Sequence, residues 1–239
     1  MTLRIFQKGF HFSQDGPGNR LVYHLQGCNL RCPWCANPEG LCPEGGTEYT
    51  VDALVEEVLR SRMLFFEGGG VTLTGGEATL QFAAVREFLT RLHREGIHTC
   101  IETNGLSHRL PELFPVLDLL IMDVKHYDPE VHRRVTGGAN TQTLENLSAA
   151  LAWGEPLALR IPLIGGFNAE ETDAVAFGAL FQKFGITEVE LLPYHEFGKD
   201  KYRKQGLPYT MTEQAKISPA RLARYRELLE AAGVRVIKT

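Results

Sequence analysis

Three cysteines, Cys28, Cys32 and Cys35, stand close together in the run Gly27-Cys28-Asn29-Leu30-Arg31-Cys32-Pro33-Trp34-Cys35-Ala36-Asn37. The spacing is C-x3-C-x2-C, and no fourth cysteine joins them. Closed structural zinc and iron–sulfur sites normally take four protein ligands. Three thiolates on a cubane of four irons would leave one iron without a protein ligand, and an open coordination position is what a metal centre needs in order to bind something that reacts. Two plainer readings of the spacing stay open: a zinc knob completed by a distant His, and ordinary buried thiols.

Other candidate residues stand where apolar runs end. Gly75-Gly76-Glu77 follows Val71-Thr72-Leu73-Thr74. Two residues without side chains let a ligand approach the backbone, and the Glu can meet a cation, although a Gly pair alone also reads as a turn. Glu102-Thr103 closes the run that starts at His98, and Asp123 with Lys125 closes Leu119-Leu120-Ile121-Met122. These charges therefore lie next to buried strand, where charge needs a partner. Arg160, inside Leu159-Arg160-Ile161-Pro162-Leu163, must face a carboxylate or line a polar cavity. His195 follows Leu191-Leu192-Pro193-Tyr194, and Asp15 opens Asp15-Gly16-Pro17-Gly18, whose plain reading is a Pro-Gly turn.

The three-cysteine motif, with the aromatic Trp34 just before its third Cys, resembles the signature of the radical S-adenosylmethionine (radical SAM) enzymes. Within that superfamily, Asp15-Gly16-Pro17-Gly18-Asn19-Arg20 and Leu192-Pro193-Tyr194-His195 make the chain similar to glycyl-radical-enzyme activases of the pyruvate formate-lyase activating type. The resemblance implies one 4Fe-4S cluster on Cys28, Cys32 and Cys35 and S-adenosylmethionine as cofactor. It implies that Gly75, Gly76 and Glu77 hold the cofactor's amino group and that Lys125 pairs with its carboxylate. Trp34, Cys35 and Ala36 match positions beside its adenine, and Arg160 and His195 match pocket residues. Glu102, followed by Thr103, and Asp123 match positions that help bind a monovalent cation, and Asp15 matches a loop near the target glycine. The chain departs from the family pattern at Ala78, where Pro is usual, at Glu102, where this type has Asp, and at Ala36, where it has His. The implied reaction starts with one electron from a reduced flavodoxin or ferredoxin. It cleaves S-adenosylmethionine to methionine and a 5′-deoxyadenosyl radical, which abstracts hydrogen from a glycine of a partner glycyl radical enzyme.

The elements that must position these residues alternate. Strands are expected at residues 21–26, at Val71–Thr74, His98–Glu102, Leu117–Val124, Leu157–Leu163 and Glu188–Leu192, with a final one at Val234–Ile237. Apolar periodicity predicts helices at Val51–Phe66, Leu80–Arg94, Thr143–Trp153, Glu170–Phe184 and Pro219–Ala232. This alternation argues for an α/β fold with a parallel sheet, an incomplete (β/α)6 TIM-like barrel, which is also what the radical SAM resemblance implies. Working residues in such folds sit at the C-terminal ends of the strands, where every motif above falls. With no repeat or linker, residues 1–239 are expected to form a single domain. Many activases insert a ferredoxin-like segment with further clusters before the Gly-Gly-Glu loop; here that interval holds only Cys42. Cys42 and Cys100 lack cysteine neighbours at ligand spacing and read as inert.

A net charge of −4 gives no electrostatic footprint for nucleic acid. No apolar run approaches the roughly 18 residues of a membrane span, and the N-terminus lacks a signal-peptide core, so a cytoplasmic protein with no membrane partner is expected. Five cysteines, three of them clustered, do not resemble a secreted disulfide framework. Transient action on another protein leads to an expected monomer. The basic run Lys199-Asp200-Lys201-Tyr202-Arg203-Lys204 reads as a solvated loop or as a dock for an acidic surface. Two competing functions remain: a radical enzyme acting on a free small molecule, and a non-enzymatic zinc-binding module.

Overall fold

The computed structural model describes residues 1–237. Side-chain alternation sorts the strands into two faces. In β2 (Asn19–Leu25) the residues Leu21, Tyr23 and Leu25 join the apolar core, while Arg20 and His24 are buried on the opposite face. The same division recurs in β4 (Gly70–Gly75), β5 (His98–Thr103), β6 (Leu119–Asp123), β7 (Leu157–Leu163) and β8 (Glu188–Pro193). Leu73, Ile101, Met122, Ile161 and Leu191 face the helices, whereas Thr72, Thr74, Glu102, Asp123, Arg160 and Glu190 share the other face. A sheet with one apolar and one polar face must curl round the polar one and cover the other with helices.

The nine strands form one sheet, in the order β3-β1-β2-β4-β5-β6-β7-β8-β9. From β2 to β9 (Arg235–Ile237) every neighbouring pair is parallel. The crossovers carry α1 (Val51–Arg60), α2 (Phe82–Arg94), α3 (Pro129–Thr136), α4 (Thr141–Trp153), α5 (Glu171–Phe184), α6 (Lys199–Lys204) and α7 (Pro219–Ala231). The α/β fold expected from the sequence is observed, as a mostly parallel sheet whose end strands β3 and β9 do not pair, in keeping with an incomplete barrel. Lys238 and Thr239, the end of the expected single domain, lie outside the described residues.

Several elements differ from expectation. β1 (Thr2–Phe12) and β3 (Thr47–Thr50) add antiparallel strands at one edge, β1 pairing with β2 and β3 with β1. α1 stops at Arg60 instead of Phe66, where the Ser61 hydroxyl donates to the Glu57 carbonyl at 2.9 Å and a 3-10 turn follows. That turn leaves Phe65 beside Phe10 and Phe66 beside Phe12. α3 had not been expected, although Asp128 caps its first turn and Pro129 starts it. The basic run at 199–204 is a short helix and not a loop.

Candidate functional site

A cavity of about 250 Å3 opens at the C-terminal ends of β4 to β8. Cys28, Cys32, Trp34, Cys35, Ala36, Gly75, Gly76, Glu102, Thr103, Asp123, Lys125 and His195 all line it. Glu77, Arg160 and Asp15 stand outside this lining.

The cysteine loop leaves the end of β2 and is pinned from several sides. Gly27 N–H donates to the Gly40 carbonyl at 2.9 Å, Arg31 N–H to the Thr136 carbonyl at 2.7 Å, and Cys35 N–H to the Cys32 carbonyl at 3.1 Å. Backbone N–H groups of Leu30 and Asn37 each point at a sulfur, Cys28 and Cys35 respectively, at 3.4 Å. Burial pushes the Cys28 thiol up to about 11 and the Cys32 thiol up to about 12. Thiolates there need a bound cation to form, and iron meets that need. Among the described residues no three His, Cys, Asp or Glu side chains converge tightly enough to hold a single metal ion. Three thiols that line one cavity with no fourth cysteine beside them fit a cluster in which each cysteine takes a different iron and one iron stays open. Cys42 is exposed, Cys100 is buried, and neither lines the cavity.

The glycines are required by close packing of backbone. Gly75 has φ +111°, and a Cβ there would strike the backbone of His24 and Leu25; at Gly76 it would strike the Gly27 carbonyl. Gly76 N–H donates to the Leu25 carbonyl at 2.9 Å and Glu77 N–H to the Gly27 carbonyl at 2.7 Å, so this loop abuts the start of the cysteine loop.

Glu77 is 1% exposed, and its carboxylate faces protein instead of the cavity. It accepts from Thr79 N–H at 3.0 Å, Thr79 Oγ1 at 2.6 Å, Thr103 Oγ1 at 2.7 Å and Asn104 N–H at 2.9 Å. It therefore ties the ends of β4 and β5 together.

Lys125 and Asp123 form an ion pair at 2.5 Å. Burial alone would lower the Lys125 ammonium, but Asp123 and the cysteine sulfurs outweigh it and raise its pKa, which keeps a positive charge beside the cysteines. Glu102 accepts from Thr74 Oγ1 at 2.7 Å and from Arg160 Nη1 at 2.5 Å. Burial nevertheless pushes its carboxyl up to about 7, ahead of the opposing pull of Arg160. Arg160 also donates from Nε to Glu190 at 2.7 Å and from Nη2 to the Gln14 carbonyl at 2.9 Å. The loop containing Asp15 is thus fastened inside the barrel, with Asp15 itself 2.5 Å from His11 Nδ1 and its carbonyl accepting from Thr72 Oγ1 at 2.6 Å.

Trp34 packs on Phe167, ring centres 4.8 Å apart, and His195 stacks on Phe197 at 4.1 Å. α6 covers the cysteine loop: Tyr202 Oη donates to the Cys32 carbonyl at 3.4 Å, Lys201 pairs with Glu39 at 3.1 Å, and a Cβ on Gly198 would strike the Cys35 carbonyl. Asn104, Thr74 and Asn37 also line the cavity and were not singled out from the sequence. Their signal was positional, since Thr74 and Asn104 lie at strand ends and Asn37 directly follows the cysteine motif.

Residues 22–177 match the model of the radical SAM superfamily. The chain is 35% identical over 229 residues to pyruvate formate-lyase 1-activating enzyme of Escherichia coli (strain K12), covering 93% of each chain. It is 34% identical over 208 residues to pyruvate formate-lyase-activating enzyme of Staphylococcus epidermidis, covering 82% of this chain and 83% of that one. Among solved structures, a radical SAM methyltransferase from Sphaerobacter thermophilus superposes with a TM-score of 0.67 over 95% of this chain and 67% of that one, at 18% identity, a likeness of fold.

Proposed function

The chain belongs to the radical SAM superfamily, and from that premise we propose that it is an activase that generates a glycyl radical in a partner enzyme. The observation that carries this reading is the gathering of Cys28, Cys32 and Cys35 round one cavity with the strand-end residues Gly75, Gly76, Thr103, Asp123 and Lys125. Members of the superfamily carry a 4Fe-4S cluster and S-adenosylmethionine, which together supply one-electron cleavage of a sulfonium and abstraction of a hydrogen atom.

In this reading Cys28, Cys32 and Cys35 hold the cluster, and Lys125 offers its ammonium to the cofactor carboxylate. The backbone at Gly75 and Gly76 receives the amino group, while Glu77 shapes that loop from behind. Trp34, Ala36 and His195 wall the adenine side. Asp123 orients Lys125, and Thr103 lies beside it at the cavity wall. Asp15 lies on the path of the target glycine. The chain acts as a single domain with one cluster, as a monomer in the cytoplasm, and takes its electron from a flavodoxin or ferredoxin. Pyruvate formate-lyase, named in the relatives, is the partner to test first.

The test is anaerobic reconstitution with iron and sulfide, reduction, and addition of S-adenosylmethionine with and without pyruvate formate-lyase. The expected result is 5′-deoxyadenosine together with a glycine-centred paramagnetic signal in the partner. 5′-Deoxyadenosine with no radical in any glycyl radical enzyme tested would favour a small-molecule substrate instead.

A further inference from the structure

A neutral imidazole carries its proton on either nitrogen, and the hydrogen bond made by one nitrogen decides what the other can offer. His195 is the histidine of the cavity wall, and the backbone makes this choice for it. The Phe197 N–H donates to His195 Nδ1 at 3.3 Å. A backbone N–H can only donate, so Nδ1 is the bare acceptor and the proton of the neutral ring sits on Nε2. Nε2 makes no hydrogen bond to the described residues, and the ring is exposed at the cavity wall. The Phe197 side chain covers one face of the same imidazole, with centres 4.1 Å apart and planes 26° apart. That phenyl ring is 77% exposed, so it adds little to the core, and the imidazole is what it stacks on. The backbone carrying both rings is anchored at its two ends: Tyr194 N–H donates to the Leu163 carbonyl at 2.9 Å, and Gly198 lies against the Cys35 carbonyl. Between them Glu196 pairs with Lys199 at 3.2 Å and with Lys216 at 3.5 Å. A donor held in this way loses little freedom when a ligand accepts from it.

We propose that Phe197 is a positioning residue for S-adenosylmethionine, fixing His195 as an Nε2–H donor to an acceptor atom of that molecule's nucleoside. The inference rests on the cavity being the S-adenosylmethionine site, and its first measurement does not need that molecule. Ring-nitrogen NMR of isotopically labelled apo protein at neutral pH reads the tautomer directly, with the His195 signal assigned by its loss in His195→Gln. The expected result is the Nε2–H tautomer. The Nδ1–H tautomer, or an even mixture of the two, would overturn the assignment. Phe197→Ala keeps the backbone donor and removes the stack, so the imidazole should turn and show both tautomers. The dissociation constant of the reconstituted variant for S-adenosylmethionine, measured by calorimetry, should rise about fivefold. Its urea midpoint should stay at the wild-type value, because the lost ring is mostly exposed. Phe197→Tyr keeps the stack and should restore both the tautomer and the affinity. A Phe197→Ala protein with the wild-type tautomer and affinity, or losses that Phe197→Tyr does not repair, would overturn the role of Phe197. Absence of binding by reconstituted wild type that shows the Nε2–H tautomer would instead overturn the reading of the cavity, and the assignment with it.

Discussion

Glu77 takes three protein donors on Oε1 and one on Oε2, so much of its energetic weight falls on the fold. Truncation would leave Thr79 N–H and Asn104 N–H unpaired in a buried site. Hydrogen bonds to a charged group contribute about 1.5–3 kcal/mol each, and Glu77→Ala should cost at least about 3 kcal/mol in urea unfolding of the apo protein. A residue serving only as a ligand would leave that stability unchanged. His24 is the opposite case, a buried ring 6% exposed with neither nitrogen partnered. Burial lowers its pKa from 6.5 to about 4, so the unfolded chain binds the extra proton between those values. Its contribution is therefore present above about pH 6.5 and lost as pH falls toward 4, by up to about 3 kcal/mol at roughly 1.4 kcal/mol per pKa unit. His24→Phe should flatten that part of the stability profile and stabilise the protein by about 1 kcal/mol at pH 7, because it removes two unpaired polar atoms. An unchanged acid slope would show that the ring is solvated. At this scale the cysteines, Gly75, Gly76, Asp123 and Lys125 were legible because their signal is local sequence. The inward turn of Glu77 was not, because it depends on Thr103 and Asn104 at the end of another strand.

Among the elements, the parallel strands were legible from short apolar runs ending in polar residues. β1 was not, because its outer half exposes Phe10 and Phe12, so the apolar positions fail to mark one buried face. α6 was hidden for another reason. Its residues read as charge alone, yet Tyr202 is 7% exposed and lies against the cysteine loop, while Lys199 and Arg203 pair with Glu196 and Asp200 at 3.2 and 3.1 Å. This leaves little of the run unpaired for an acidic partner. Gly198 sets the approach of α6, since its missing Cβ is the space occupied by the Cys35 carbonyl. Gly198→Ala should lift the helix from the loop and weaken S-adenosylmethionine binding by about tenfold, or about 1.4 kcal/mol. Because α6 is otherwise mostly exposed, urea stability should hardly change. Equal losses in both measurements would make α6 part of the core instead of a cover for the site.

Over the whole molecule, the site draws on residues from Cys28 to His195, carried by strands that span most of the sheet. The apolar face closes the fold without the cofactors, since the core from Leu3 to Val234 is continuous and lies on the helix side. The polar face is held by ion pairs and leaves three half-buried thiols at the cavity. Such a molecule should fold without iron but gain stability on filling, because a ligand that bridges several strands binds only the native state. At a hundredfold excess over its dissociation constant, a ligand adds about 2.7 kcal/mol. For a chain of this size that corresponds to a rise in melting temperature of roughly 5–10 °C. S-adenosylmethionine should produce this rise only in the reconstituted protein, and iron chelation should abolish it together with the brown colour. Cys32→Ser should behave like the chelated protein while keeping the apo melting temperature, since the Cys32 thiol makes no hydrogen bond on which the fold depends. An equal rise in apo and reconstituted protein would mean that the strand-end residues hold S-adenosylmethionine without help from the cluster, and Lys125 would then carry most of the binding.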